Sequence, residues 1–304
     1  MEAGNHIAAI VVPGLRKHTH FSISNFRRRR KRQRLLAHYV GNTQVRLIEF
    51  GRPYDWDMLG KQLSGAKADV LICYAFPNRI PQSLLDAFPR GGLNLHPALL
   101  PYYRGPHPFH RLVADGQQAV HGGVTLHRMT AGFDEGDILA QVPFCAGDWH
   151  SLGSLTNAAA TSMRMLASEA VPAYCRGALT GLPQPAGDFG WARLEPRHLM
   201  ISQALTREHA DRMWQVLGLH PGIYVDVAGQ NVRLAFQIRR LGPPTGKAAA
   251  KRWGTVALDL ADGRVLYFTY SRLLKRLVNF RRLFARTPIP RPRPAIQLFG
   301  KVEG

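Results

Sequence analysis

The chain is predicted to be α/β: a Rossmann-like domain on a mostly parallel sheet, followed by a small, open, barrel-like β domain. Three observations carry that prediction. Short apolar stretches alternate with helical ones from residue 6 to residue 129, the pattern of a sheet covered by helices on both faces. One of them, Ala68 to Ala75 (ADVLICYA), is apolar almost without a break, as a strand buried on both faces is. Beyond residue 205 one helical stretch is followed only by short strand candidates with tight turns between them.

In chain order, His6 to Val12 (HIAAIVV) reads as a buried strand and Phe26 to Tyr39 as a densely basic helix. Gln44 to Phe50 is a second strand, Tyr54 to Leu63 a short helix, and Ala68 to Ala75 a central strand. Pro81 to Ala87 is helical, with proline where a helix tolerates it, near the first turn. Gly92 to His96 is the next strand, Pro108 to Asp115 a helix and Gly122 to Met129 a strand. From Ser154 to Ala178, Leu155, Ala159, Met163, Leu166, Ala170 and Tyr174 recur at helical spacing and predict one long helix. Gly181 to Gly190 (GLPQPAGDFG) reads as a linker. Leu205 to Leu217 is a helix, and Ile223 to Val227, Val232 to Ile238, Thr255 to Leu260 and Val265 to Tyr270 are strands, with turns at Ala228-Gly229 and Asp262-Gly263. These readings divide the chain into a first domain over 1–180, a linker over 181–204 and a C-terminal domain over 205–304 with a basic tail.

The 304 residues carry a formal charge of +20, from 40 Lys and Arg against 20 Asp and Glu. Such an excess points to a polyanionic partner, or to a proteome that uses arginine everywhere. The three cysteines, Cys73, Cys145 and Cys175, stand at neither metal-ligand nor redox spacing, and an odd, low count suits a reducing, cytoplasmic setting. No apolar run approaches the ~18 residues of a spanning helix. Ile7 to Val12 is too short for a secretory signal, and Arg16-Lys17 follows it instead of preceding it.

The chemistry concentrates in two segments. In Gly92-Leu93-Asn94-Leu95-His96, Asn94 and His96 stand two apart in a strand and so face the same way. An amide and an imidazole aimed at one point can stabilise a developing oxyanion, and the imidazole can move a proton. Asp134, in Gly132-Phe133-Asp134-Glu135-Gly136-Asp137, can join them. A carboxylate there favours protonated His96 or accepts the proton of an attacking amine. The trio suits attack on a carbonyl-like carbon. With no Ser or Cys nucleophile in either segment, direct transfer is expected. Taken singly, these residues could equally be strand-end caps, and Asp134, Asp137 and Arg104-Gly105 could be turn formers. Five histidines (His96, His107, His110, His121 and His127) crowd one stretch, but no cysteine joins them, and no metal is expected.

The order LNLHPALLPYYRGPHP, then GGVTLHRM, then GFDEGDIL resembles the 10-formyltetrahydrofolate-dependent formyltransferase family, whose members formylate methionyl-tRNA, sugar-nucleotide amines and glycinamide ribonucleotide. The resemblance covers roughly residues 6–240. It implies that Asn94, His96 and Asp134, not Asp137, are catalytic, and that 10-formyltetrahydrofolate is the cosubstrate. It implies that Tyr74, Ala75, Phe76, Asn78 and Ile80 hold the pterin-like ring on one side and the loop from Thr130 on the other. Arg104, Gly105 and His107 would meet the acceptor. Phe189 to Ile201 (FGWARLEPRHLMI) and Pro221-Gly222-Ile223-Tyr224 are similar to the small C-terminal domain of the tRNA and sugar enzymes. The chain departs from the family at Ala98, where Ser is usual, and at His107, where a small residue is common. The family also has a strand and a Gly-containing loop ahead of the strand read here at 6–12, so the sheet is expected to be one strand short.

Arg27 to Arg34 (RRRRKRQR) holds seven basic residues, and the tail from Arg272 to Arg293 holds eight and no acidic one. Arg27, Arg28, Arg29 and Arg30 lie near the position of a basic loop that the tRNA enzymes direct at the acceptor stem. An aminoacyl-tRNA acceptor of methionyl-tRNA type is therefore expected. An amino-sugar nucleotide or other small amine is the alternative, and a non-catalytic, nucleic-acid-binding scaffold is a third reading.

Overall fold

The structure is a computed structural model and describes residues 7–13, 46–76, 78–218, 220–269 and 297–299. The predicted helix from Phe26 to Tyr39, the Arg27–Arg30 cluster and the basic tail lie outside the described residues.

Two parallel strands open the fold: β1 (Ala9–Pro13) pairs in register with β2 (Arg46–Phe50). Helix α1 (Trp56–Ser64) follows, its first turn capped by the Asp55 carboxylate, which accepts from the Met58 N–H at 2.8 Å. Next come β3 (Leu71–Cys73), the single turn α2 (Gln82–Leu85) and β4 (Gly92–His96), and β3 and β4 are again parallel. Short helices α3 (Pro108–Ala114) and α4 (Gln118–His121) lead to β5 (Gly123–Arg128) and β6 (Ile138–Pro143).

The sheet is mixed, not mostly parallel as the sequence suggested. Within the five-stranded sheet only β3 and β4 run parallel; β5 pairs antiparallel with both β4 and β6, and β12 (Gln297–Leu298) is antiparallel to β6. The reason lies in the connection after β4. A parallel return needs a helix long enough to carry the chain back past the strand. Helix α3 rises only about 10 Å, so the chain stays at the His96 end and enters β5 there, with His96 opposite Thr125.

The β1–β2 pair forms a separate two-stranded sheet. A cavity of about 130 Å³ lies between it and β3, lined by Val11 and Val12 on one side and Leu71, Ile72 and Cys73 on the other. Among the described residues this break falls between the two parallel pairs.

The predicted long helix is present as α5 (Leu152–Met165), a π-turn over Leu166–Ala170 and α6 (Val171–Cys175). The wider turn stands just before Pro172, whose missing N–H and bulky ring an unbroken α-helix does not accommodate. This helix covers β5 and β6 through Ala159, Leu166, Ala170 and Tyr174, packed on Leu93, Leu126, Leu139 and Val142. Leu126 is fully buried on the central strand. Leu126→Ala is expected to cost about 2–5 kcal/mol in stability, read as a shift of the denaturant midpoint without a change in slope.

In the second half, α7 (Arg207–Leu217), capped by Thr206, packs on an antiparallel sheet ordered β7 (Ile223–Val227), β8 (Gln230–Gly242), β11 (Gly263–Thr269), β10 (Thr255–Leu260) and β9 (Ala250–Arg252). Among the described residues β7 and β9 do not pair, so this sheet is open and no closed barrel forms. Its core is continuous with α3: Leu112 and Val113 share one buried cluster with Met213, Leu217, Ile223 and Leu258. The Gly- and Pro-rich stretch read as a linker runs as a bonded strap. Leu182 exchanges both backbone hydrogen bonds with Ile138, and Trp191 bridges Arg104.

Candidate active site

Asn94 and His96 leave β4 on the same face, as their spacing predicts. The loop joining β5 to β6 folds back over that face and brings Asp134 to them from forty positions away. Asp134 has a φ of 55°, a left-handed conformation uncommon outside glycine. Ala75 (52°) and Tyr103 (59°) share it, so three loops around the site carry strained backbone.

Asp134 is the hub. Its Oδ1 accepts from Asn94 Nδ2 at 3.2 Å, and its Oδ2 accepts from the Gly105 N–H at 2.9 Å. His96 Nδ1 lies 3.5 Å from Oδ2, while His96 Nε2 lies 2.8 Å from the Tyr103 carbonyl. Both neighbours of that ring are acceptors, and only a doubly protonated imidazole donates to both. Burial by itself would raise the Asp134 carboxyl. Hydrogen bonding from the His127 and His96 rings, the charge of His96 and the Gly105 N–H outweigh burial and hold it far below the usual carboxylate range.

His127 is the member that sequence reasoning missed as part of this group. It sits directly across the antiparallel pair from Asn94 and is 2 % exposed. Its Nδ1 donates to the Arg128 carbonyl at 2.8 Å. Its Nε2 is 3.1 Å from Asn94 Nδ2 and 3.6 Å from Asp134 Oδ1. A neutral ring accepts from the amide; a charged ring donates to the carboxylate. Thr125 and His127 are two apart on β5, the same spacing as Asn94 and His96 on β4, but that spacing does not say which strand lies opposite. Thr125 fixes the turn after His96, donating to the Ala98 carbonyl at 2.6 Å and accepting from the Leu100 N–H at 3.0 Å.

Gln184 was read as linker and is instead a clamp. Its Oε1 accepts from Arg104 Nε and Nη2 at 3.1 and 2.6 Å, and its Nε2 donates to the carbonyls of Asp134 and Gly136 at 2.9 and 2.7 Å. One side chain thus ties the strap to the Arg104 loop and the Asp134 loop. Gln184→Ala removes four hydrogen bonds, and the expected cost is about 1–3 kcal/mol. Amide hydrogen exchange across residues 130–137 should quicken; unchanged exchange there would remove the clamp role.

The other predicted positions separate. Tyr74, Ala75, Phe76 and Ile80 line the 130 Å³ cavity, whose Cys73 end lies beside Asn94 in the sheet. Asn78 Nδ2 is buried with no hydrogen-bond partner among the described residues. Thr130 is exposed and donates to Glu135 at 3.2 Å. His107 faces the strap, accepting from the Leu194 N–H at 3.3 Å, and touches none of the Asp134 group. Burial pushes the Cys73 thiol up to about 11, despite a lowering backbone hydrogen bond from Phe76, so the thiol beside the site is protonated and poorly nucleophilic at neutral pH. Among the described residues no three His, Cys, Asp or Glu side chains are arranged to hold a metal ion. No described helix is long and apolar enough to cross a membrane.

A family model described as formyl transferase matches residues 15–171, just over half of the chain. The methionyl-tRNA formyltransferase of Delftia acidovorans is 30% identical over 237 residues, covering 76% of this chain and 70% of that protein. That of Halalkalibacterium halodurans is 31% identical over 163 residues, covering 53% and 50%. The chain thus spans about half of one of these curated relatives and about seven-tenths of the other. Among solved structures, HypX from Aquifex aeolicus in complex with tetrahydrofolic acid has a TM-score of 0.56 at 18% identity, covering 86% of this chain and 44% of that one. A 4-N formyltransferase from Francisella tularensis has a TM-score of 0.51 at 20% identity, covering 69% and 85%. At such identities the likeness is one of fold.

Proposed function

The chain belongs to the formyl transferase family, and from that premise we propose that it moves a formyl group from 10-formyltetrahydrofolate to a primary amine, the amino group of an aminoacyl-tRNA being the favoured acceptor. The observation that carries this reading is the convergence of Asn94, His96 and Asp134 from two distant segments into one part-buried group, with Asn94 hydrogen-bonded to Asp134 and His96 facing it at 3.5 Å.

The residues of the cosubstrate loop fit a flat, polar-edged heterocycle. The cavity is apolar on its walls. Asn78 does not line it but stands in the same loop, between Phe76 and Ile80, and its buried amide is a donor still to be satisfied, which native interiors seldom leave so. At about 130 Å³ it is smaller than the roughly 300–1,000 Å³ of pockets that enclose a whole drug-sized ligand. It therefore takes a ring and not the whole molecule. Tyr74, Ala75, Phe76, Asn78 and Ile80 would hold that ring, with the loop from Thr130 across from them. The cosubstrate supplies the activated formyl carbon.

The chain's own groups divide the remaining work. Asp134, held so firmly ionised, is a weak base and a strong electrostatic partner. Its role in this reading is to keep a proton on His96 Nδ1 and to fix the ring. His96 then acts as the proton carrier, and its Nε2–H, now on the Tyr103 carbonyl, is the donor for which a substrate oxygen competes. Asn94 presents its amide to the same oxygen by releasing His127. Such donors act most strongly on charge that develops during reaction.

The tRNA acceptor is favoured by the +20 charge, of which Arg27–Arg30 and the tail form a large part. A nucleotide sugar needs only a local diphosphate site. The low, odd cysteine count supports a cytoplasmic setting. The two acceptors separate experimentally. With methionyl-tRNA, affinity should fall steeply as salt rises from 50 to 200 mM, as phosphate-backbone binding does. Transfer confined to an amino-sugar nucleotide, with little salt dependence, would replace tRNA as the acceptor.

A further inference from the structure

The loop that carries the chain from β4 toward α3 is tied down at both ends. At its start Thr125 Oγ1 accepts from the Leu100 N–H at 3.0 Å, and Gln141 Nε2 donates to the Leu100 carbonyl at 2.9 Å. At its end the Arg104 carbonyl accepts from the Ala192 N–H, and the Gly105 N–H donates to Asp134. Between these ties stands Tyr103, with a φ of 59°. A left-handed tyrosine persists only where its surroundings hold it there. Its carbonyl is the one that takes the His96 Nε2–H at 2.8 Å.

The phenol supplies the hold. Tyr103 Oη donates to Asp115 Oδ2 at 3.2 Å. Burial, the charge of Asp115 and this hydrogen bond push the phenol well above its ordinary pKa, so it stays a donor. Asp115, the residue that ends α3, is itself fixed. Arg111 reaches both of its oxygens, Nε to Oδ1 at 3.3 Å and Nη2 to Oδ2 at 2.8 Å, and Arg111 Nη1 donates to the Arg193 carbonyl of the strap at 3.1 Å. The last turn of α3 is pinned from the second half of the chain as well. His209 Nε2, in the first turn of α7, lies 3.0 Å from the carbonyls of both Val113 and Ala114. Between two acceptors that nitrogen is the donor, and it answers carbonyls that a helix C-terminus leaves free. The anchor of the Tyr103 phenol therefore belongs not to the loop but to the junction of the two halves.

We propose that Tyr103 is a positioning residue for His96: its phenol, through Asp115, sets the strained backbone so that its carbonyl aims the His96 Nε2–H until a substrate oxygen takes it. The bonds to Asp115 and to His96 come from opposite ends of one residue. Releasing the first lets φ relax and withdraws the second. The ring then keeps only its contact with Asp134 and has to be ordered anew in each turnover. A tyrosine kept for packing alone would be matched by phenylalanine, which has the same ring. The effect on rate rests on the formyl-transfer reading above, whereas the hold on His96 does not.

The test compares the full chain, labelled at its histidine nitrogens, with Tyr103→Phe, Asp115→Ala and the double variant. Exchange of the His96 Nε2–H with water is followed by NMR, the signal being assigned by its loss in His96→Gln. Tetrahydrofolate binding checks that each variant is folded. In Tyr103→Phe the exchange should be ~10- to 150-fold faster, as on loss of one hydrogen bond to a charged group. There kcat should fall by as much as about 10²-fold, with folate affinity unchanged. In the Asp115→Ala background Tyr103→Phe should add little, because the two groups act as one unit. Unchanged exchange in Tyr103→Phe, or an effect of that substitution equally large in the Asp115→Ala background, overturns the proposal. Faster exchange in a chain that formylates no acceptor keeps the positioning role and sinks the formyl-transfer reading instead.

Discussion

Asp134→Asn should lower formyl transfer by roughly 10²- to 10⁴-fold, the range of the proton transfer by His96 that Asp134 orients, while the chain stays folded and binds tetrahydrofolate. The two oxygens of Asp134 receive donors from Asn94 and Gly105 and face His96 and His127. An amide in its place turns one acceptor into a donor among donors and removes the negative charge that His96 and His127 face. The pH dependence follows in sign from the depressed carboxyl. Its stabilising effect is fully present above the ordinary carboxylate pKa and is lost only as pH falls toward the lowered value, in strong acid. The Asp134 carboxyl's own titration therefore adds nothing to changes in stability between roughly pH 5 and 8. Stability lost in strong acid to the same extent in the parent chain and in Asp134→Asn would contradict the assignment.

Asn94→Ala should cost ~2.7–4 kcal/mol of transition-state stabilisation, as loss of one preorganised donor does. A second effect distinguishes it from a remote mutation. Asn94 Nδ2 donates to Asp134 Oδ1 and lies 3.1 Å from His127 Nε2, so its removal takes a donor from the carboxylate and a neighbour from the buried ring. A buried group left short of a partner costs about 1–3 kcal/mol. Asn94→Ala is thus expected to lower kcat/KM and the unfolding midpoint together. A fall in rate with an unchanged midpoint would mean that the resting network is not the one described.

The strands that reasoning from residues located, at 9–13, 46–50, 71–73, 92–96 and 123–128, each carry at least two of Val, Leu, Ile or Phe. Burial writes itself into composition. Direction does not. A strand covered on both faces reads the same whether its neighbour runs with it or against it, so the pattern alone puts β5 in a mostly parallel sheet. Strand β6 (ILAQVP) went unnoticed as a strand because it follows the Asp134 loop without a turn signal of its own. Strand β9 (AKR) is an exposed edge with no apolar pattern to find. The pairing of Asn94 with His96 was legible from a spacing of two, and Asp134 from its motif. His127 and Gln184 were not, because their roles come from which strand lies opposite β4 and where the strap crosses the loops. Those are facts of topology. A Gly- and Pro-rich composition predicts turns but not what a glutamine between them will hold.

The most direct measurement is single-turnover transfer of labelled formyl from 10-formyltetrahydrofolate by the full chain, offered methionyl-tRNA and a set of amino-sugar nucleotides, with Asp134→Asn in parallel and tetrahydrofolate binding measured for both. The account predicts transfer to one of these amines by the parent chain and a fall of at least about 10²-fold in the variant at similar folate affinity. Equal transfer by the two, or a folded parent chain that binds folate and formylates none of the acceptors, would contradict it.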